Sequence, residues 1–261
     1  MAVEPWLIPE KLRQHEKEAR DIIDAGGTGG GHLGAYYAYR TGTNKGLIEP
    51  HGVIDDEYAL GYARNIRALL KSMGQDAEGS VFLDAGCGIG VITNAFAALN
   101  AGGKTFGLDL SEDGIAIARE KYPACTFSVQ SADELDNFED DFFDVIHTRE
   151  FYPFTRSNDD GFHLEFFRAF QAKLKSGGIV LVSTVTVPKG LCNTFGRLAG
   201  PLLDMGYDKA VKKIVVPMRL TKRLGIWLYA PSFYWSIVVA GHLLDCLRPG
   251  RVGLMYVLRK A

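Results

Sequence analysis

The sequence predicts an α/β fold, in which helices cover both faces of a mostly parallel sheet. Between residues 81 and 187, short apolar segments alternate with helical segments, which is the pattern of strand–helix–strand units. The apolar segments contain few polar residues, as is typical of strands buried on both faces. A glycine-rich turn, "FLDAGCGIG" at residues 82–90, follows the first of them. Such a turn marks the ligand-binding edge of an open α/β sheet.

Two helices are predicted before the first strand. Residues 9–24 are highly charged and have Pro9 at their start, whereas residues 55–73 place acidic residues first and apolar residues at helical spacing before Gly74. The residues between these helices are rich in glycine and aromatic residues. We expect residues 26–52 to form a loop or lid that closes over the bound ligands and excludes water.

The alternating region contains five predicted strands and three predicted helices. Ser111 is the expected N-cap of the second helix, and Ser176, Gly177 and Gly178 are expected to end the third. The strands are predicted at residues 81–86, 105–110, 125–130, 142–149 and 179–187, and the helices at 91–101, 111–122 and 161–175.

Residues 188–250 interrupt this alternation and are predicted to form an insertion. The last apolar run, "RVGLMYVLRK" at residues 251–260, is predicted to be a closing strand. The predicted organisation is therefore an N-terminal helical extension with the glycine-rich lid at residues 1–78, followed by a ligand-binding domain at residues 79–261 that carries the insertion.

Composition indicates a globular protein. The chain has 261 residues, of which 47% are hydrophobic and 23% charged, so it can bury a sizeable core. The first residues lack the basic and apolar regions of a signal peptide, which favours a cytoplasmic location. The four cysteines are scattered and form no C-x-x-C pair, so we expect neither a metal site nor a disulfide framework.

Charge is distributed unevenly along the chain. Residues 188–261 contain 12 Lys and Arg against three Asp and Glu, although the net charge of the whole chain is −2. A long apolar run follows the basic stretch at residues 209–223, and Pro231, His242 and Asp245 argue against a membrane span. Three interpretations remain for residues 209–247: a core helix, a homodimer interface, or a surface that contacts an anionic membrane or an anionic acceptor.

The glycine turn has the pattern G-x-G-x-G, with Asp84 two residues before Gly86. This spacing is one residue shorter than the G-x-G-x-x-G of dinucleotide-binding proteins. Together with "GLDLSEDGIAIARE", "SADELDNFEDDFFDVIHTRE" and "LKSGGIVLVST", the turn resembles the class I S-adenosylmethionine (SAM)-dependent methyltransferases over residues 80–187. The resemblance implies a Rossmann-like sheet with an antiparallel last strand, SAM as the cofactor, and methyl transfer to a small-molecule acceptor.

The resemblance also implies which residues hold SAM. The turn from Asp84 through Gly86, Gly88 and Gly90 would pack on the methionine part, and the Asp84 carboxylate would attract the amino group directly or through water. Alternatively, Asp84 only ties down the turn. Asp109 would accept the ribose hydroxyls, with Leu110 beside it. The adenine would be held by residues after the third strand, namely Ser131, Ala132 and Asp133.

The acceptor is expected near the end of the fourth strand and beneath the lid. Glu150 and Tyr152 are candidates to orient or deprotonate it, and Arg149 and Arg156 to hold an anionic group. Tyr36 and Tyr37 of the lid could place aromatic faces against a sulfonium or a sugar ring. Many relatives carry a histidine where this chain has Pro153 and Phe154, whereas His147 lies inside the apolar strand and is expected to be a core residue.

Two other functions remain compatible with the sequence. One is an NAD(P)-dependent oxidoreductase, although the glycine spacing and Asp84 argue against it. The other is a SAM-binding protein without catalytic activity. Nucleic acid is not expected as a partner, because the sequence contains no recognisable nucleic-acid-binding module.

Overall fold

The computed structural model describes residues 56–75, 78–151, 153–154, 160–184, 197–208, 212–216 and 253–261, together with Val239 and Leu243. Within them, the helices are α1 (Asp56–Ser72), α2 (Val91–Leu99), α3 (Glu112–Lys121), α4 (Asp160–Lys173) and α5 (Ala199–Asp204). The strands are β1 (Val81–Ala85), β2 (Lys104–Asp109), β3 (Thr126–Val129), β4 (Phe143–Arg149), β5 (Leu174–Thr184), β6 (Lys212–Val216) and β7 (Gly253–Arg259).

The described residues form one seven-stranded sheet with the order β3-β2-β1-β4-β5-β7-β6. Strands β1 to β5 pair in parallel, and β7 runs antiparallel to both β5 and β6. The Rossmann-like sheet with an antiparallel last strand is thereby confirmed. The chain moves from β1 outward to β3 and then returns to β4 beside β1, so the turn after β1 lies where the strand order reverses.

Two apolar clusters cover the two faces of the sheet. One contains residues of α1, α2 and α3 packed against side chains such as Phe82, Val145 and Leu181. The other contains α4 and α5 packed against side chains such as Leu83, Ile146 and Val180. Neighbouring residues of a strand therefore point to opposite clusters, as the two-residue period of a strand requires.

The end of α1 and the start of α3 lie where neighbouring residues in the sequence predicted them. Gly74 follows α1 with a φ of +79°, a conformation that glycine adopts without a steric penalty. The Ser111 side chain accepts a 3.1 Å hydrogen bond from the backbone amide of Gly114, which confirms it as the N-cap of α3.

Strand β5 begins earlier than the sequence predicted. Helix α4 ends at Lys173, and Leu174 already pairs with Phe143 of β4. The register then shifts between Phe143 and Val145, so that Gly177, with a φ of +75°, lies in an irregular segment within β5. Leu174 and Phe143 are both fully buried, and this tertiary contact outweighs the helical pattern at the end of α4.

Part of the predicted insertion belongs to the sheet. Strand β6 lies within residues 188–250 and pairs with β7 as the edge strand. It begins with two lysines, and lysine is common on edge strands because its charge discourages pairing with a further strand. No helix in the described part of the chain is long and apolar enough to cross a membrane. Most of the apolar run up to residue 247 lies outside the described residues, but Val239 and Leu243 are exposed.

Candidate functional site

The candidate site is the glycine-rich turn between β1 and α2. Gly86, Gly88 and Gly90 all have positive φ, of 79°, 57° and 76°. The backbone amides of Gly86 and Cys87 both donate to the carbonyl of Leu108 in β2, at 2.8 and 2.9 Å. These bonds hold the turn against the carboxyl end of the neighbouring strand, which is where ligands bind in open α/β sheets.

At two of the three glycines, an added side chain would collide with neighbouring protein side chains. A Cβ added at Gly86 would lie 2.7 Å from Cδ2 of Phe151. At Gly90 it would lie 2.7 Å from Cζ of Phe127 and 2.9 Å from Cβ of Ala118. The expected positive φ values are therefore present, but the neighbours that exclude a side chain at these two positions are rings and a methyl group of the chain itself. Gly90 permits close packing of α2 and α3 on the sheet.

Asp109 connects the end of β2 with the glycine turn. Its Oδ2 accepts a 2.9 Å hydrogen bond from the backbone amide of Gly88, and its Oδ1 accepts a 2.9 Å bond from that of Ser111. Ser111 itself caps α3, so Asp109 is not the cap of this helix. Leu110, the next residue, is half-buried. The carboxylate thus lies between the turn and the second strand, where the sequence placed the ribose.

Asp84 lies beneath the turn and is only 2% exposed. Its Oδ1 is 2.8 Å from Nδ1 of His147, and its Oδ2 accepts a 2.7 Å hydrogen bond from the Thr93 hydroxyl. Thr93 belongs to the first turn of α2, so this bond closes the segment from residue 84 to residue 93. These contacts are those expected if Asp84 ties down the turn.

The three candidates for the adenine follow β3. The Ser131 hydroxyl donates to the Asp133 carboxylate, and both side chains are half-buried. Ala132 is 3% exposed and packs in the core. The backbone amide of Gln130 donates to the carbonyl of Asp109, which holds the ends of β2 and β3 together. The three strand ends β1, β2 and β3 therefore bring the predicted cofactor residues to one edge of the sheet.

Arg149 ends β4 and contacts helix α1. Its Nη2 donates a 2.9 Å hydrogen bond to the Tyr58 hydroxyl, and its guanidinium carbon lies 5.3 and 5.0 Å from the ring centroids of Tyr58 and Tyr62. Its Nε is buried and has no hydrogen-bond partner in the described structure. These contacts hold the guanidinium against the two tyrosine rings of α1, at the carboxyl end of β4.

Glu150 follows Arg149 and is exposed. It has a φ of +49°, which is uncommon for a residue other than glycine. Its backbone amide donates to the carbonyl of Ser183 in β5, at 2.9 Å, and this bond stabilises the conformation. Strained backbone of this kind is frequent at functional sites. The other acceptor-side candidates lie outside the described residues, namely Tyr36, Tyr37, Tyr152 and Arg156.

Sequence reasoning missed several polar residues that the fold brings to the site. His147 is fully buried and both of its ring nitrogens have polar partners, as expected for a satisfied core histidine, but the sequence did not indicate that these partners are Tyr62 and Asp84. The sequence signal that could have indicated one of these partners is the pair Tyr58 and Tyr62, four residues apart on one face of α1. Thr93, nine residues after Asp84, carried no comparable signal.

Comparisons with known proteins agree with this geometry. A family model described as a methyltransferase domain matches residues 76–215. Magnesium protoporphyrin IX methyltransferase of Synechocystis PCC 6803, solved with bound SAM, has a TM-score of 0.56 and 15% identity, and the match covers 95% of this chain and 97% of that chain. No curated protein matches the chain significantly.

A phosphoethanolamine N-methyltransferase of Haemonchus contortus, in complex with SAM, has a TM-score of 0.52 and 19% identity. The match covers 93% of this chain but 60% of that enzyme. A second structure of this enzyme contains phosphomonomethylethanolamine and S-adenosylhomocysteine, with a TM-score of 0.50 and 19% identity, and the match covers 87% of this chain and 57% of that one. At these identities, the structures establish the shared fold.

Proposed function

Because the chain belongs to the class I SAM-dependent methyltransferase family, we propose that it methylates an oxygen or nitrogen atom of a small-molecule acceptor that carries an anionic group. The anionic group is the specific part of this proposal. The observation that carries it is the guanidinium of Arg149, fixed at the carboxyl end of β4 with its Nε buried and unpaired in the described structure.

The residues present fit SAM. Three positive-φ glycines form the turn, and the Asp109 carboxylate lies between that turn and β2. The ribose hydroxyls would donate to the Asp109 carboxylate, and the adenine would lie near Ser131, Ala132 and Asp133. SAM supplies a methyl group on a positively charged sulfur, which is transferred in line to the acceptor.

The chain contributes mainly by positioning. In an in-line transfer from a sulfonium the positive charge disperses, so little covalent assistance is required. Holding the two reactants in alignment supplies up to about 7–11 kcal/mol in favourable systems. A general base is needed only when the acceptor is a hydroxyl or a protonated amine. Glu150, exposed beside Arg149, is our candidate for that role, together with Tyr152.

Arg149 suits an anionic oxygen for three reasons. Its charge is permanent, its planar group presents several donors, and the rings of Tyr58 and Tyr62 restrict its orientation. A buried donor without an acceptor costs about 1–3 kcal/mol, and an anionic oxygen at Nε would remove that cost. A carboxylate and a phosphate ester share the required chemistry.

The experiment is a screen with isotope-labelled SAM and paired acceptors that differ only in a carboxylate or phosphate. Phosphomonomethylethanolamine and the same amine without its phosphate form one such pair. We expect transfer to the anionic member, and we expect Arg149→Gln to raise the acceptor KM by about tenfold or more, which corresponds to loss of a charge-assisted hydrogen bond. SAM affinity in this variant should stay within about twofold of wild type, a difference below half a kcal/mol. If both members of every productive pair are methylated equally well, the proposal that the acceptor carries an anionic group is rejected. Methyltransferase activity itself would still be observed.

A further inference from the structure

Four polar side chains form a continuous hydrogen-bonded chain through the core beneath the glycine turn. The Tyr62 hydroxyl lies 2.8 Å from Nε2 of His147, whose Nδ1 lies 2.8 Å from Oδ1 of Asp84. Oδ2 of Asp84 accepts from the Thr93 hydroxyl at 2.7 Å. All four residues are buried, with exposures between 0 and 2%. The chain thus links helix α1 to the first turn of α2.

The Asp84 end determines one of the proton positions. A carboxylate can only accept, so Nδ1 of His147 carries a proton and donates it to Oδ1 of Asp84. The Tyr62 hydroxyl is the hydrogen-bond partner of the other ring nitrogen, Nε2. Tyr62 and Asp84 therefore hold the imidazole from both sides, and the imidazole in turn orients the carboxylate.

The surroundings of this chain are apolar. The rings of Phe96 and Phe82 lie 5.1 and 6.1 Å from the imidazole, and Val145 and Leu181 lie in the same apolar cluster. Polar groups buried in such a place cost free energy unless every one is hydrogen-bonded. An apolar residue at position 147 would take a hydrogen-bond partner from two buried groups, the Asp84 carboxylate and the Tyr62 hydroxyl, so His147 keeps the chain satisfied and Asp84 in place.

The position of Asp84 indicates why its placement matters. Asp84 precedes the turn by two residues, and its bond to Thr93 joins the two ends of the segment that carries Gly86, Gly88 and Gly90. A displaced carboxylate would release this segment, whose conformation determines how SAM fits. We propose that His147 is a positioning residue for SAM, and that Tyr62 of α1 acts through it on Asp84 and the glycine turn.

Helix α1 would then support the cofactor site indirectly, through Tyr62 and His147. One turn away, Tyr58 of the same helix holds Arg149. The Tyr62 ring also lies against Arg149, and this contact remains when Tyr62→Phe removes only the hydroxyl. Packing of α1 on the sheet should therefore raise the affinity for SAM. Loss of the Tyr62 hydroxyl should lower this affinity, although α1 remains packed on the sheet.

The first test compares two tyrosines that tie α1 to the rest of the domain. Tyr62→Phe removes the hydroxyl that is hydrogen-bonded to His147. Tyr122→Phe removes the hydroxyl of the α3 C-cap residue, which donates to Asp56 at the start of α1. We expect the SAM Kd from calorimetry to rise about tenfold for Tyr62→Phe, equivalent to one hydrogen bond in a charged network. For Tyr122→Phe we expect a change within about twofold. Urea unfolding of both variants supplies the stability comparison.

The second test uses the other end of the chain. Thr93→Val keeps the shape and removes the hydroxyl, whereas Thr93→Ser keeps the hydroxyl. We expect the valine variant to bind SAM several-fold more weakly, on the order of a hydrogen bond to a charged group, and the serine variant to restore the affinity. His147→Phe is the direct change. If it does not fold, the variants at positions 62 and 93 decide the question.

SAM binding by the wild-type protein tests the cofactor assignment, whereas the affinities of the variants test the role of His147. If the wild-type protein does not bind SAM, the cofactor assignment is wrong. If the wild type binds SAM and the Tyr62→Phe and Thr93→Val variants bind it with the same affinity, the role of His147 is overturned. The role would also be overturned if Tyr122→Phe weakened SAM as much as Tyr62→Phe at the same loss of stability. In that case, α1 would matter through its stability alone.

Discussion

The carboxylate of Asp109 accepts a 2.9 Å hydrogen bond from the backbone amide of Gly88. This contact joins the end of β2 to the centre of the glycine turn after β1. The other oxygen of the Asp109 carboxylate accepts a hydrogen bond from the backbone amide of Ser111. One acidic side chain thus holds two loops at the edge where SAM is expected, and it is the side chain that we expect to contact the ribose.

We expect Asp109→Ala to weaken SAM binding by about 1–3 kcal/mol, because charge-assisted hydrogen bonds to the ribose and the bond to the turn are both lost. Isothermal titration calorimetry with SAM measures this effect. Ser111→Ala is the control, since it removes the neighbouring N-cap and should cost about 1 kcal/mol of stability without a comparable loss of affinity. Unchanged affinity in a folded Asp109→Ala protein would contradict the assignment of this carboxylate.

Gly90 and Gly102 provide a matched pair for testing close packing. Their φ values are +76° and +77°, but a Cβ at Gly90 would meet Phe127 and Ala118, whereas one at Gly102 would meet nothing within 4 Å. Alanine at either position carries the cost of the left-handed conformation, about 1–2 kcal/mol. At Gly90 we expect about 1–3 kcal/mol more, since a crowded core must rearrange. Urea unfolding measures the stability of the two variants. Equal losses of stability would show that steric crowding around Gly90 does not add to the cost of an alanine there.

Cys125 should react slowly with alkylating reagents. Burial raises its pKa to about 11, so little of the nucleophilic thiolate is present at pH 8. Its alkylation by iodoacetamide should accelerate as the pH rises toward that value. Mass spectrometry of the peptide containing Cys125 gives the rate separately from those of the other cysteines. A rate at pH 8 equal to that of an unstructured peptide thiol would show that the side chain is more exposed to solvent than in this structure.

The sheet and its cofactor edge were largely predictable because their signals are local. The strands from β1 to β4 are short apolar runs, and each is followed by glycine or polar residues at the same edge. Parallel strands place their carboxyl ends together, so Asp84, Asp109 and Ser131 were expected near one another before any contact was known. The N-cap at Ser111 and the stop at Gly74 depend only on neighbouring residues.

Two features of the sheet that the sequence did not predict, the early start of β5 and strand β6, depend on distant partners. The start of β5 is decided by Leu174 packing beside Phe143, although the local sequence continues the helical pattern of α4. Strand β6 is only five residues long and gains its identity by pairing with β7, which follows it by almost forty residues. Short segments of this kind carry little propensity of their own.

Three features can be predicted from residue types at fixed spacing within one or two elements: the α/β class, the turn between β1 and α2, and the acidic residue at the end of β2. Two others are visible only in the folded chain. Phe151 fills the space over Gly86, and Tyr62, His147, Asp84 and Thr93 form one hydrogen-bonded chain. Tyr62 and His147 are 85 positions apart. A hydrogen bond over that separation leaves no periodic pattern in the sequence, because its geometry depends on how α1 packs across the sheet.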